Sequence, residues 1–268
     1  MKNILVLIHD DAGQEARLQA ALDLTRALGG HLTCLDVARY PVTGGYFSPE
    51  AEVALLDEER HREQLNTQRL IERLGGEDVP WNIAATTGTF ADCIAAEAGL
   101  ADLIVVNREL DDPTAPDMLA AASSIILETR KPVIAVSEKC RGFDASGRAI
   151  VAWDGSLPAM AALTASVPLL LLAGSVNLVE IQGDSPGSVE EAAAYLSRHD
   201  IHAEVSLVAR FKDDKSSIGD MIATICGNEN AAYCVMGAYG HSRLREAVLG
   251  GVTRHMLGCS TVPLVLAH

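Results

Sequence analysis

The sequence predicts an α/β chain built as two tandem, doubly wound, Rossmann-like domains, each a five-stranded parallel sheet flanked by helices. Three observations lead there. Short apolar runs of strand composition alternate with stretches whose apolar residues recur at helical spacing, from one end of the chain to the other. The order of those signals occurs twice. Between the two occurrences lies a polar, aperiodic stretch, EKCRGFDASGR at 138–148, which reads as a boundary and divides the chain into domains 1–140 and 148–268.

The first half opens with a strand over 3–9. A helix over 14–28 follows, with Ala16, Ala20, Leu24, Ala27 and Leu28 on one stripe and Gly29-Gly30 as its stop. A strand over 31–37 leads to a loop over 40–47. Ser48-Pro49 then starts a long charged helix that ends at Gly75-Gly76, with Ser as N-cap and Pro in the first turn. Trp81 to Thr86 is a third strand, and Thr89-Phe-Ala-Asp92 opens a helix with a capping-box pattern. Strands over 101–106 and 132–137 enclose a helix over 117–129.

The second half repeats this order. Its strands fall at 149–153, 176–181, 201–209, 231–236 and 261–267. Ser156 caps one helix, Ser217-Ile-Gly-Asp220 repeats the capping box, and helices cover 188–199 and the segment from Val252. Asp92 and Asp220 lie 128 residues apart, Ala101 and Ala231 130, and Pro132 and Pro263 131. On the same reasoning Asp10 and Asp154, 144 apart, are the matching residues after the two first strands. A period this long means two domains and not a solenoid.

Composition narrows the function. The net charge of −15 and an aromatic content of 4% argue against nucleic acid and anionic membrane as partners. Residues 155–179 carry no charge, but Pro158, Pro168 and Gly174 interrupt them, so a buried helix and a strand are expected there and no membrane span. The six cysteines form no C-x-x-C and the eight histidines no metal-ligand spacing; buried thiols in a reducing cytoplasm are expected.

One stretch carries chemistry. Met236 ends a strand, and the segment to Thr253 holds Gly237, Gly240, Gly250 and Gly251 before a helix begins. Glycines let backbone N–H groups close on an anion, and a helix N-terminus adds free donors. The spacing fits neither a P-loop nor a dinucleotide fingerprint. Gly237-x-x-Gly240, nine residues, then Gly250 resembles the nucleotide loop of the universal stress protein family, G-x2-G-x9-G-(S/T). Gly251 stands where that family usually has Ser or Thr, so one hydroxyl is lost, and Thr253 offers another two residues on.

The resemblance implies a cytoplasmic stress-response protein that binds ATP, or ADP or AMP, with Mg2+, as ligand or switch. It implies that Asp154 contacts the ribose, that Ile181 meets the adenine edge through its main chain, and that Met236 and Val252 line the pocket. Gly237, Gly240, Gly250, Gly251 and Thr253 would hold phosphates, with Arg243 or Arg245 on the terminal one. Each position also has a structural reading: a turn carboxylate, strand and core residues, and solvated loop charges. The matching stretch of the first half, Asn107 to Asp117, has no glycine and four acidic residues, so that half reads as a degenerate copy packing as a pseudo-dimer partner. Homodimer formation and slow ATP hydrolysis stay open, and the alternative is a nucleotide-free interaction module.

Overall fold

A computed structural model describes residues 1–40, 47–111, 117–181, 189–209, 217–239 and 251–268. In the first half the elements are β1 (Asn3–Ile8), α1 (Gln14–Leu28), β2 (His31–Arg39), α2 (Pro49–Leu74), β3 (Trp81–Gly88), α3 (Phe90–Glu97), β4 (Leu103–Asn107), α4 (Met118–Thr129) and β5 (Val133–Val136). In the second they are β6 (Arg148–Trp153), α5 (Leu157–Leu170), β7 (Ser175–Ile181), α6 (Val189–Ser197), β8 (Ala203–Val208), α7 (Ile218–Asn228), β9 (Tyr233–Gly237), α8 (Gly251–Cys259) and β10 (Leu264–Ala267).

The capping residues act as their chemistry dictates. The Ser48, Thr89 and Ser156 hydroxyls accept N–H groups from Ala51, Asp92 and Ala159, and Ser217 and Asp220 close a full capping box. Gly29 ends α1 at φ 56°, a conformation glycine adopts without a Cβ penalty. Pro168 lies in the last turn of α5, so the one hydrogen bond lost with its N–H falls at the end of the helix, which closes two residues later.

The two halves share one ten-stranded sheet in the order β3-β2-β1-β4-β5-β10-β9-β6-β7-β8. Within each half every pairing is parallel; β5 and β10 join antiparallel, with Ile134 opposite Val265. Val133 pairs with Ile104 and Leu264 with Cys234. Val133 and Leu264 are therefore equivalent, and so are the facing residues Ile134 and Val265. The halves are thus related by a pseudo-two-fold through that pair. Central strands read as continuous apolar runs because helices cover both faces, whereas the edge strands β3 and β8 are partly exposed.

Both apolar cores, one on each face of the sheet, draw residues from both halves. The polar stretch between the halves is packed down. Phe143 is buried against Tyr233, with ring centroids 5.0 Å apart, and its N–H donates to Asp23 on α1 at 2.9 Å. Among the described residues no helix is long and apolar enough to cross a membrane.

Candidate functional site

In the second half, β6 lies between β7 and β9, so chain order reverses at β6, where doubly wound sheets place ligands at the carboxyl ends. Ala152 pairs with Met236, and Trp153 with Glu180. By that register Asp154 stands level with Ile181, and Gly237 one step back beside Trp153, so the three gather at the carboxyl ends of three adjacent strands. Asp154 Oδ1 accepts the Ser156 N–H at 3.0 Å, which shapes the turn into α5. Met236 is buried, Ile181 is half-buried, and Val252 packs partly against the core.

Gly240, Arg243 and Gly250, and Arg245 with them, lie outside the described residues. The two ends of that segment are tied together. The Thr253 hydroxyl is buried and accepts the Tyr239 N–H at 3.3 Å, while Ala238 is bonded to Ala267. Gly251 begins α8, is exposed, and has open space where a side chain would stand. The first half braces this region. Arg108 donates to Leu257 O and Ser260 O, both at 2.6 Å, where a cation suits the carboxyl end of α8. The Tyr239 hydroxyl meets Ser123 on α4.

Gly237 is needed for a reason the sequence did not show. A Cβ there would stand 2.5 Å from Ala159 N and 2.7 Å from Pro158 C, against the backbone of the first turn of α5. The glycine lets a helix pack onto a strand end, whatever it does for an anion.

Strand registers also correct the pairing of Asp10 with Asp154. Ile4 pairs with Leu103 as Ala149 pairs with Tyr233. Counting on five residues from Ile4 and from Ala149, the residue in the place of Asp154 is His9. Matching carboxylates by type gave an offset one residue short. The same count puts Asn107 in the place of Gly237 and Arg17 in the place of Ala162.

The crevice of the first half is consequently filled from within. Arg17 is fully buried and uses all five guanidinium donors: on Leu7 O at 2.6 Å, His9 O at 2.9 Å, both Asp11 carboxylate oxygens at 2.7 and 2.9 Å, and Asn107 Oδ1 at 2.5 Å. The acidic stretch beyond it is partly neutralised, Glu109 by Arg108 and Asp111 by Lys139. Sequence reading missed Arg17 because an arginine in a helix ordinarily reads as a surface charge.

A second missed cluster surrounds His9. Its Nδ1 lies 2.8 Å from Glu63 Oε1 and 3.0 Å from Val37 O. Burial pushes the Glu63 carboxyl upward, but the hydrogen bond and charge of His9 and the Asp10 N–H outweigh it and hold it below its ordinary value. Asp36, beside it, goes the other way. Burial raises its pKa to about 6, with Glu63 adding to the rise and the Thr67 hydroxyl opposing it. A carboxyl raised on folding favours the acid form, so its stabilising contribution is present below its unfolded pKa of about 3.9 and is lost as pH rises through about 6. Asp36→Asn keeps an acceptor for Thr67 and removes the charge. It should raise the unfolding free energy by about 2–3 kcal/mol above pH 6 and by almost nothing below about pH 4. Urea denaturation across that range in metal-free buffer measures it, and a gain independent of pH would contradict this account.

The Universal stress protein family model matches residues 1–136, just over half of the chain and the half without the glycine loop. Two solved structures share the fold along the whole length. A universal stress protein from Archaeoglobus fulgidus DSM 4304 is 14% identical, with 99% of this chain and 97% of that chain covered at a TM-score of 0.72. A functionally unknown protein from Pseudomonas aeruginosa PAO1 is 16% identical, with 100% and 92% covered at a TM-score of 0.60. No curated protein sequence matches the chain. With the family model covering residues 1–136 and the fold repeated about a pseudo-two-fold, the chain belongs to the universal stress protein family, in its tandem form.

Proposed function

We propose that the second half, 148–268, binds one adenine nucleotide at the carboxyl ends of β6 and β9, and that the first half, 1–140, is a nucleotide-free brace. The ligand is ATP, or ADP or AMP, with Mg2+ accompanying the phosphates, and it acts as ligand or switch in a cytoplasmic stress response. Asp154 takes the ribose hydroxyls, Ile181 the adenine edge, and Met236 and Val252 the apolar wall. The phosphates fall to Gly237, Gly240, Gly250, Gly251 and Arg243. The observation that carries this reading is the contrast between equivalent positions. Arg17 and Asn107 fill the crevice of the first half, and Ala162 and Gly237 offer no such side chains in the second.

Thr253 fits the role of a phosphate ligand less well because it is buried, although its hydroxyl only accepts the Tyr239 N–H and keeps its proton to donate. Together with Gly251 in the hydroxyl position, this favours a second reading, an interaction module without nucleotide. Titration calorimetry on Asp154→Ala separates the two. The variant should fold, because Ser156 caps α5 itself. It should lose about 1.5–3 kcal/mol of nucleotide affinity, the worth of hydrogen bonds to a charged acceptor. Unchanged affinity removes Asp154 from the site, and no affinity in the wild-type chain supports the interaction module.

A further inference from the structure

His9 occupies in the first half the place that Asp154 holds in the second, and its surroundings are those of a cation site. It is buried, as is Glu63, and α2 presents Glu59 and Glu63 one turn apart toward the ring. Both groups at Nδ1, Glu63 Oε1 and Val37 O, accept hydrogen bonds, so Nδ1 carries a proton and Nε2 is the nitrogen that a metal can take in place of a proton. Nε2 faces Glu59 Oε1 at 3.8 Å. That is too long for a hydrogen bond. It suits two ligands of one small cation, each about 2.0–2.2 Å from the metal. One ligand atom each from His9, Glu59 and Glu63 lies within 4.8 Å of the others.

A second observation points the same way. Asp36 is 5% exposed, and its Oδ1 has no hydrogen-bond partner, while Thr67 satisfies Oδ2 at 2.6 Å. Asp36 stands beside Ile8, the residue before His9, in the pairing of β1 with β2. Glu59, Glu63 and Asp36 thus converge around one imidazole. Of the nearby cations, Arg62 pairs with Glu59 through Oε2 and leaves Oε1 facing the ring, while Arg69 pairs with Asp10. Arg39 offers Glu59 only its backbone N–H, at 3.4 Å, and its guanidinium lies over the Phe90 ring. The cluster holds more buried negative charge than these groups neutralise.

We propose that the first half binds a single divalent transition-metal ion of the zinc class between His9 Nε2 and Glu59. Glu63 keeps the Nδ1 proton, fixes the tautomer and orients the ring, the role a carboxylate plays behind a metal-bound histidine. Glu63 is itself held by the Asp10 N–H, at 3.2 Å to each oxygen, and by Asn66, which exchanges two hydrogen bonds with Gln14. Water completes the coordination. An imidazole and carboxylates suit zinc and its neighbours in the first transition row, and disfavour calcium and magnesium, which take oxygen ligands alone.

The test is titration of the chelator-treated full chain with Zn2+, and with Co2+ for its visible spectrum. One equivalent should bind, and the cobalt form should lack thiolate-to-metal absorption, since no cysteine belongs to the cluster. Glu59→Gln and His9→Gln should each abolish that equivalent. Glu63→Gln should weaken it by about 10–100-fold, as expected for a group that orients a ligand. Glu59 is the safer variant, because the amide oxygen still accepts from Arg62 and only the long contact with the Arg39 N–H is given up. Binding retained in folded Glu59→Gln, a thiolate signature, or the absence of binding in the wild-type chain overturns the proposal. Equal tightness for Mg2+ does so as well.

Discussion

Arg17→Met is expected to lower the unfolding free energy by about 3–5 kcal/mol, the range for removing one partner of a buried ion pair. The guanidinium is fully buried and joins the ends of β1 and β4 to the turn that enters α1. Methionine fills much of the volume but takes the guanidinium donors from Leu7 O and Asn107 Oδ1, leaves His9 O with the Asp11 N–H, and leaves Asp11 without its bidentate partner. Asn107 Nδ2 is an unpartnered donor at this corner, but one amide cannot serve all the acceptors that Arg17 releases. Arg17→Lys should recover only part of the loss, because an ammonium cannot reproduce the planar fork. Urea denaturation measures both variants. A loss below about 1 kcal/mol for Arg17→Met would mean that the network is not what closes this crevice.

Gly237→Val should be the most damaging single change at the candidate site. The new Cβ would meet the Pro158 and Ala159 backbone at 2.5–2.9 Å, and backbone in the first turn of a helix cannot swing aside as a side-chain tip can. Relief requires α5 to move off β9, which costs about 3 kcal/mol or more. Nucleotide binding would be lost with it, through displacement of Ser156 and the turn that holds Asp154. Gly237→Ala carries the same Cβ and should already lower the denaturation midpoint. If Gly237→Ala is as stable as the parent, glycine is not required there for helix packing, and its closeness to an anion becomes the stronger explanation.

Much of this was legible in the sequence because local signals agreed with the global fold. The ten strands, the four capping serines and threonines, and the placing of Asp154, Ile181 and Gly237 at the carboxyl ends of neighbouring strands follow from apolar runs, capping patterns and chain order. The joining of the halves was not legible. Val133–Val136 and Leu264–Ala267 are four-residue apolar runs, and nothing in such a run says whether its open edge meets helix, solvent or another strand. His9 was missed for a different reason. Asp10 beside it resembles Asp154 in type, and only strand register decides which of the two shares its place. The Glu59 and Glu63 pair was visible at helical spacing, but its partner His9 lies just past β1, about fifty residues earlier in the chain, and periodicity cannot supply that contact.

The most direct test of the central claim is the number of nucleotides bound per full-length chain. The intact chain is the right object, since the halves share one sheet and both cores. Denaturing the purified protein, identifying released nucleotide by mass spectrometry, and titrating the stripped chain with ATP by calorimetry give the count. The account requires one adenine nucleotide per chain, lost or strongly weakened in Asp154→Ala and unchanged in Glu59→Gln. Two nucleotides per chain, none, or binding that survives Asp154→Ala and disappears on changing His9 would contradict it.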